Sequence, residues 1–422
     1  MDAPPPTARP TSIPEAASLL RAGARLRPVG ARRSAPALLH ADAGWLDGTG
    51  LRELTVLGGD RVRVGGGVTL RALSAWLAEA DRRLPCAGTS WYPTVAGAIG
   101  TGVHGTGHDT GSMSDAATVA GLTLVTPSGE VIRLSDDRPV DAPLLAAARL
   151  HLGAFGLVAD VTLRVTAGAH LRRTTRPVPV DALLDPDLPR AADHVEAWWV
   201  PHTDAALVVT RHPAAGTAPR RGGLWQGLGR GLTEDAPLRA LIAAGRAWPA
   251  LTPTLAGWLA RFGRGVSDRT GRWDRLTVGP RWLDAVDAEY ALPADRLGDA
   301  LAALRALTEA TPLHLPVNLR WGRADRGALL SPAADRDTVW VDVGWHRAVP
   351  GGDAALAAVD AALGALGGRP HWGKLGWRNP SPPGLAAWAE AQRAVDPDGR
   401  CLNDHLRRLL RGAPLREPPC AS

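Results

Sequence analysis

The sequence predicts an α+β protein of two domains, the second built on a large antiparallel sheet, and three observations carry that prediction. At 422 residues the chain is long enough for two hydrophobic cores. Up to about residue 168, short strands alternate with helices. From 169 the texture shifts to long alternating strands, EAWWV, ALVVTR, AEYALP, HLPVNLRW and TVWVDVGW. Between them lie the helical stretches DRLGDALAALRALTEA and DAALAAVDAALGALG. Such an order reads as one antiparallel sheet covered by helices. The predicted division is 1–168, 169–375 and a C-terminal segment, 376–422, that packs back towards the first domain.

Each element has a local reason. The first ten residues, Pro-rich and poor in large apolar side chains, read as a disordered lead-in. Ser12 and Glu15 form a capping-box pattern, with Pro14 in the first turn and Gly23 as a stop. LRPVG is a short strand running into a turn, and RVRVGGG a strand ending in glycines. Thr69 can cap the helix LRALSAWLAEA. LTLVTPSGEVIRL places two β-rich runs around Pro-Ser-Gly, a hairpin signal. ARLHLGAFGLVADVTLRV passes from helix to strand through Gly153 and Gly156. Residues 215–275 are rich in Gly, Arg and Trp and give no clear element.

Composition excludes several classes. The formal net charge is +6, but Arg is scattered among Asp and Glu with no basic run interleaved with aromatic residues, so no nucleic-acid partner is expected. No stretch approaches the ~20 apolar residues of a membrane span. The N-terminus carries no basic start followed by an apolar core, so a cytoplasmic protein is expected. Cys86, Cys401 and Cys420 are odd in number and lack ligand spacing, which fits a reducing compartment and no structural metal. Lys occurs once, at Lys374, in a chain that otherwise writes its positive charge as Arg. Lys is a compact cation that burial can tune, which makes Lys374 a candidate functional residue.

The densest signal is TVAGAIGTGVHGTG, residues 94–107. Its glycines uncover the backbone, so N–H groups can approach a ligand, commonly a pyrophosphate; a purely structural loop has the same composition. It lacks the Gly-Lys-Ser/Thr of a Walker loop and the position of a simple dinucleotide fingerprint. Glycines between His104 and His108 preclude the helix that would pair them as metal ligands. In LPVNLRW the strand period puts Val317, Leu319 and Trp321 on one face and Asn318 and Arg320 on the other, either a solvated face or a site.

These segments resemble the aldonolactone and alditol oxidases, within the vanillyl-alcohol-oxidase/p-cresol-methylhydroxylase type of flavoprotein. TVAGAIGTGVHGTG is similar to the family's flavin loop and LRPVGARRS to its first phosphate loop. GLTLVTPSGEV and LGAFGLVADVTLRV are similar to later strands of its FAD domain; WWVPHTDAALV, DAEYALP and RPHWGKL resemble cap-domain motifs, and DPDGRCLND its ending. The resemblance implies FAD bound by Val29, Gly30, Ala31, Arg32, Arg33 and Ser34, by Gly88, Thr94, Gly97, Thr101, Gly102, Val103, His104 and Gly105, and by Val158 and His371. His371 reads equally as a packed core histidine. By the same resemblance Lys374 and Arg320 reach the reacting centre, Thr89 touches substrate, and Gly88 sits where a small residue admits oxygen.

Three departures qualify the resemblance. Arg33 stands where many members carry the histidine that bonds FAD covalently, so dissociable FAD is expected, with Arg32 and Arg33 pairing to pyrophosphate. Asn318 replaces the Glu of the family's Glu-x-Arg pair, and an amide can position a hydroxyl but cannot take its proton. Gly344 falls where alditol oxidases carry a hydroxyl-bearing residue. The expected activity is FAD-dependent oxidation of a CH–OH group on a sugar-, polyol- or lactone-like substrate, with O2 as acceptor. The alternatives are a tailoring enzyme acting on a larger glycosylated substrate and a dehydrogenase using another acceptor.

Overall fold

The first helix starts where its capping pattern puts it. In the computed structural model the Ser12 hydroxyl accepts from the Glu15 N–H, and Ile13–Arg21 is helical. Glu15 reaches back to Thr11, whose N–H donates to it at 2.7 Å, and Gly23 turns the chain at φ +87°. The structure describes residues 7–23, 25–214, 243–244, 247–248, 251–262, 267–277 and 284–416. Residues 1–6, Cys420 and much of 215–275 lie outside them. The expected lead-in is shorter than ten residues, because β1 (Thr7–Ala8) pairs in parallel with Trp45 and Leu46.

Strands β2 (Arg27–Val29) and β3 (Trp45–Asp47) complete a three-stranded parallel sheet of order β1-β3-β2. Next come β4 (Leu54–Gly58), β5 (Arg61–Gly65), the two-residue β6 (Arg82–Arg83), β7 (Val119–Val125), β8 (Val131–Ser135), β9 (Leu157–Arg164) and β10 (Thr166–Ala167). Five of them form an antiparallel sheet, β4-β5-β9-β7-β8, while β6 pairs with β10. The Pro-Ser-Gly hairpin is present as β7–β8, with Gly129 at φ +80°.

The second half forms one sheet from β11 (His170–Pro179), β12 (His194–Trp199), β13 (Ala205–Ala214), β14 (Ser267–Arg272), β15 (Ala285–Pro293), β16 (Val317–Gly322), β17 (Thr338–His346) and β18 (Arg369–Pro370). Its order is β14-β11-β13-β12-β16-β17-β15-β18, antiparallel at every junction. Val317, Leu319 and Trp321 lie on its apolar face in one cluster with Leu301 and Leu304 of the helix Leu297–Ala310 and Leu356 and Val359 of the helix Gly352–Ala365. The opposite face carries Asn318 and Arg320, 2% and 5% exposed. That exposure excludes a solvated face: the polar side is covered by the first half of the chain. Ser112 donates to Asp325 through N–H and hydroxyl, and Arg323 forks onto Asp115.

The C-terminal segment touches the first half of the chain at two helices. Trp388 packs edge-on against Phe155 and donates to the Leu150 carbonyl. Asn403 caps the helix Asp404–Leu410 and donates to the carbonyls of Ala37, Leu38 and His40.

Candidate active site

The glycine segment opens with a helix where a loop is expected. Thr94 caps Val95–Gly100, its hydroxyl accepting from the Gly97 N–H at 3.3 Å. Ala96, Ala98 and Ile99, with the cap, outweigh the two glycines over this short run. The chain leaves the helix through Gly102 at φ +72°. Beside it runs a cleft whose lining includes Val29, Gly30, Ser34, Thr94, Gly97, Thr101 and Val158. Gly48, Gly66, Gly100, Gly153 and Gly156 line it as well, so much of its wall is bare backbone.

The walls meet too closely for side chains. A methyl group at Gly30 would lie 2.1 Å from the Thr94 hydroxyl, and one at Gly66 2.3 Å from the Val158 carbonyl. Two lining residues that the sequence did not single out hold the walls together. Buried Arg27 donates to the carbonyls of Leu38, Leu152, Gly153 and Cys401, and burial pushes it down to about 10. His151 accepts from the Gly153 N–H at 2.9 Å and faces the Ala96 carbonyl at 3.1 Å. Burial pushes its imidazole down to about 4, so it is neutral with the proton on Nε2.

Other expected contacts lie elsewhere. Arg32, at φ 53°, sits over Trp45 and 3.8 Å from Asp47, and Arg33 sits over Tyr92. Neither lines the cleft, and Ala31 does not either. Segment 86–89 packs against 103–105: a methyl at Gly88 would lie 2.4 Å from Val103, and one at Gly105 2.8 Å from the Ala87 carbonyl. Thr89 is half-buried in the same segment. At one end of the cleft Thr101 approaches Gly373, whose carbonyl accepts from the Ala35 N–H at 3.0 Å. This junction brings Ala35, next after LRPVGARRS, together with the glycine segment and HWGK.

Beyond that junction lies a charged cluster on the polar face of the large sheet. Lys374 Nζ donates to Asp287 at 2.5 Å and lies 3.6 Å from Asp342 and 3.8 Å from Glu289. Arg320 lies 3.6 Å from Glu289 and 3.9 Å from Asp342. His104 Nε2 contacts Glu289 at 2.9 Å, and its ring stacks on Trp340 at 3.8 Å. His371 meets both rings edge-on and accepts from the Gly373 N–H through Nδ1. Gly344 adjoins Asp287, directly opposite in the register. Lys374, Arg320, Asn318, His104, His371 and Gly344 are thus brought together. Asp287, Glu289 and Asp342, which the sequence did not single out, join them.

Burial opposes the Glu289 charge, but the His104 hydrogen bond and the fields of Lys374 and Arg320 hold its carboxyl well below the ordinary range. Burial lowers His104 and pushes His371 down to about 3, so His371 stays a neutral Nε2–H donor. Donor atoms of His104, Glu289 and His371 lie within 4.8 Å of one another. Lys374 and Arg320 face the Glu289 carboxylate as well. Asn318 donates to the Ala197 carbonyl at 3.1 Å. Its Oδ1 and Arg320 Nε are buried without a hydrogen-bond partner among the described residues, which is how a polar site awaiting a ligand looks.

A backbone-walled cleft ending at a charged sheet face suits an extended dinucleotide whose reactive end meets substrate. The fold and site define a two-domain flavoprotein of the vanillyl-alcohol-oxidase type. Residues 4–135 match the FAD binding domain model. The chain belongs to the D-arabinono-1,4-lactone oxidase family, whose model matches residues 161–409, and is an FAD-dependent oxidoreductase. It is 30% identical to L-gulono-1,4-lactone dehydrogenase of Mycobacterium tuberculosis over 97% of this chain and 96% of that protein. With L-gulonolactone oxidase of Bos taurus it shares 28% identity over 83% and 81%. The crystal structure of cholesterol oxidase from B. sterolicum is similar at a TM-score of 0.78, covering 96% of this chain and 94% of that one at 16% identity; this is a likeness of fold.

Proposed function

We propose that the protein oxidises a CH–OH group of a sugar lactone, with FAD held non-covalently in the cleft and O2 as electron acceptor. The observation that carries this reading is Lys374 and Arg320 side by side on a buried polar face at the end of the glycine-walled cleft. Bound FAD supplies the hydride acceptor. Arg320 and Lys374 hold the substrate oxygen and stabilise the negative charge that grows on it. Asn318 Oδ1 accepts from a substrate hydroxyl, His371 offers its Nε2–H, and Thr89 and Gly344 border the pocket. Burial of the cluster keeps water from competing. The names of the relatives favour a lactone over an open polyol.

Non-covalent attachment is supported by Arg33 at the histidine position and by His151, a cleft histidine with both ring nitrogens engaged. The division of labour follows 1–168 for FAD, 169–375 for substrate and 376–422 as a brace. A cytoplasmic location is in keeping with two buried free thiols, Cys86 and Cys401. No helix among the described residues is long and apolar enough to cross a membrane. A second reading, a dehydrogenase with another acceptor, is favoured by the name of the Mycobacterium tuberculosis relative. Val103 also fills the space over Gly88.

The test is a visible spectrum of the purified protein before and after acid precipitation, then anaerobic bleaching by aldonolactones, aldoses and polyols. A yellow protein, a colourless pellet and bleaching by lactones are expected. A protein that cannot be loaded with FAD would overturn the reading, and colour in the pellet would overturn the non-covalent part. Oxygen uptake against dye reduction separates oxidase from dehydrogenase.

A further inference from the structure

Two buried atoms on the polar side of β16 have no hydrogen-bond partner among the described residues, and they are of opposite kinds. Asn318 Oδ1 is an acceptor and Arg320 Nε a donor. Both residues alternate with Val317, Leu319 and Trp321 of the apolar cluster. Their side chains therefore share the other face, about 6–7 Å apart along the strand. The orientation of the amide is fixed from β12. Asn318 stands opposite Trp198 in the register, and its Nδ2 donates to the adjoining Ala197 carbonyl at 3.1 Å. Turned over, the amide would set Oδ1 against that carbonyl, two acceptors with no proton between them. A hydroxyl side chain at this point would donate or accept as the ligand required. This amide, tied to Ala197, offers an acceptor alone.

We infer that Asn318 is a specificity-determining residue: its Oδ1 selects ligands that bring an O–H to this point over those that carry hydrogen there. The inference deepens the CH–OH oxidation proposed above and rests on it. With the hydroxyl bound, the buried acceptor gains the hydrogen bond it lacks. With a C–H in that place it stays buried and unpaired, and a site built to bond a hydroxyl rejects the analogue for that reason. Arg320 Nε has the complementary need, so the favoured ligand also carries an oxygen with a lone pair to offer. Asn318 takes no proton, because an amide is not a base at neutral pH. Its part is to hold the hydroxyl in one orientation.

The experiment crosses enzyme variants with ligand variants. FAD-loaded wild type, N318L and N318A are mixed anaerobically with a lactone that bleaches the wild type, and with analogues in which one hydroxyl at a time is replaced by hydrogen. Reduction is followed by stopped flow; an analogue that is not oxidised is read by its perturbation of the oxidised flavin spectrum. At one hydroxyl position the wild type should discriminate against the deoxy compound by about 100-fold or more. In N318L that discrimination should shrink to less than about tenfold, because taking away donor and acceptor together is nearly neutral where taking one is costly. At the remaining positions wild type and N318L should discriminate alike. A wild type indifferent to every single replacement would overturn the inference. So would an N318L that is weakened equally towards the lactone and all its analogues, since position 318 would then only pack the strand. Should N318L not hold FAD, N318A decides by the same comparison, and discrimination that persists in it at the selected position overturns the inference. A wild type that no CH–OH compound bleaches removes the functional reading first, and this one with it.

Discussion

The lone lysine shows how much one residue depends on its neighbours. Lys374 serves Asp287, Asp342 and Glu289, three carboxylates from two strands, with a compact charge that a planar guanidinium cannot reproduce. Lys374→Met is expected to leave FAD bound and to slow anaerobic flavin reduction by orders of magnitude; an unchanged rate would remove Lys374 from the catalytic set. Lys374→Arg should recover only a small part of that loss, since the fork cannot sit 2.5 Å from Asp287 and still reach the other two. The motif HWGK made Lys374 legible in the sequence. Its partners were not, because Asp287, Glu289 and Asp342 sit inside largely apolar strands and meet Lys374 only through contacts some 30 to 90 residues apart in sequence.

At the scale of elements, period and caps were readable and close packing was not. The two faces of β16 and the β7–β8 hairpin follow from alternation and turn chemistry. The helix Val95–Gly100 was hidden by its glycines, and the engagement of Arg32 and Arg33 with Trp45 and Tyr92 by the distance between segments. Two outcomes belong here. Gly30→Ala pushes a methyl against Thr94, which caps the helix beside the cleft. FAD affinity should fall at least tenfold in an equilibrium titration, and an unchanged Kd would show that this wall yields freely. Leu319, fully buried on the strand that carries Asn318 and Arg320, anchors the sheet to its helices. Leu319→Ala should cost about 2–5 kcal/mol, read from the urea midpoint, and a cost well under 1 kcal/mol would contradict the packing.

For the whole molecule, the assembly of two halves and a returning C-terminal segment buries histidines in every part. Burial pushes His151 and His194 down to about 4, His314 and His405 to about 4, and His371 to about 3. In the unfolded chain each titrates near ~6.5, so below that pH the unfolded state takes up protons the folded state refuses. The stability tied to these groups is complete above the unfolded value and is lost as pH falls towards the folded ones. Glu289, held well below its ordinary range, acts in the same sense at lower pH. Each histidine contributes on the order of 1 kcal/mol per pH unit, and domains are stable by only about 5–15 kcal/mol. The five together can therefore remove most of the stability within about two units. Melting temperature with saturating FAD should be flat from pH 8 to 7 and fall steeply below pH 6, with flavin released in the same range. A melting temperature that holds level down to pH 5 would mean that these histidines gain solvent or partners on acidification, and that the two halves close less tightly than their buried contacts imply.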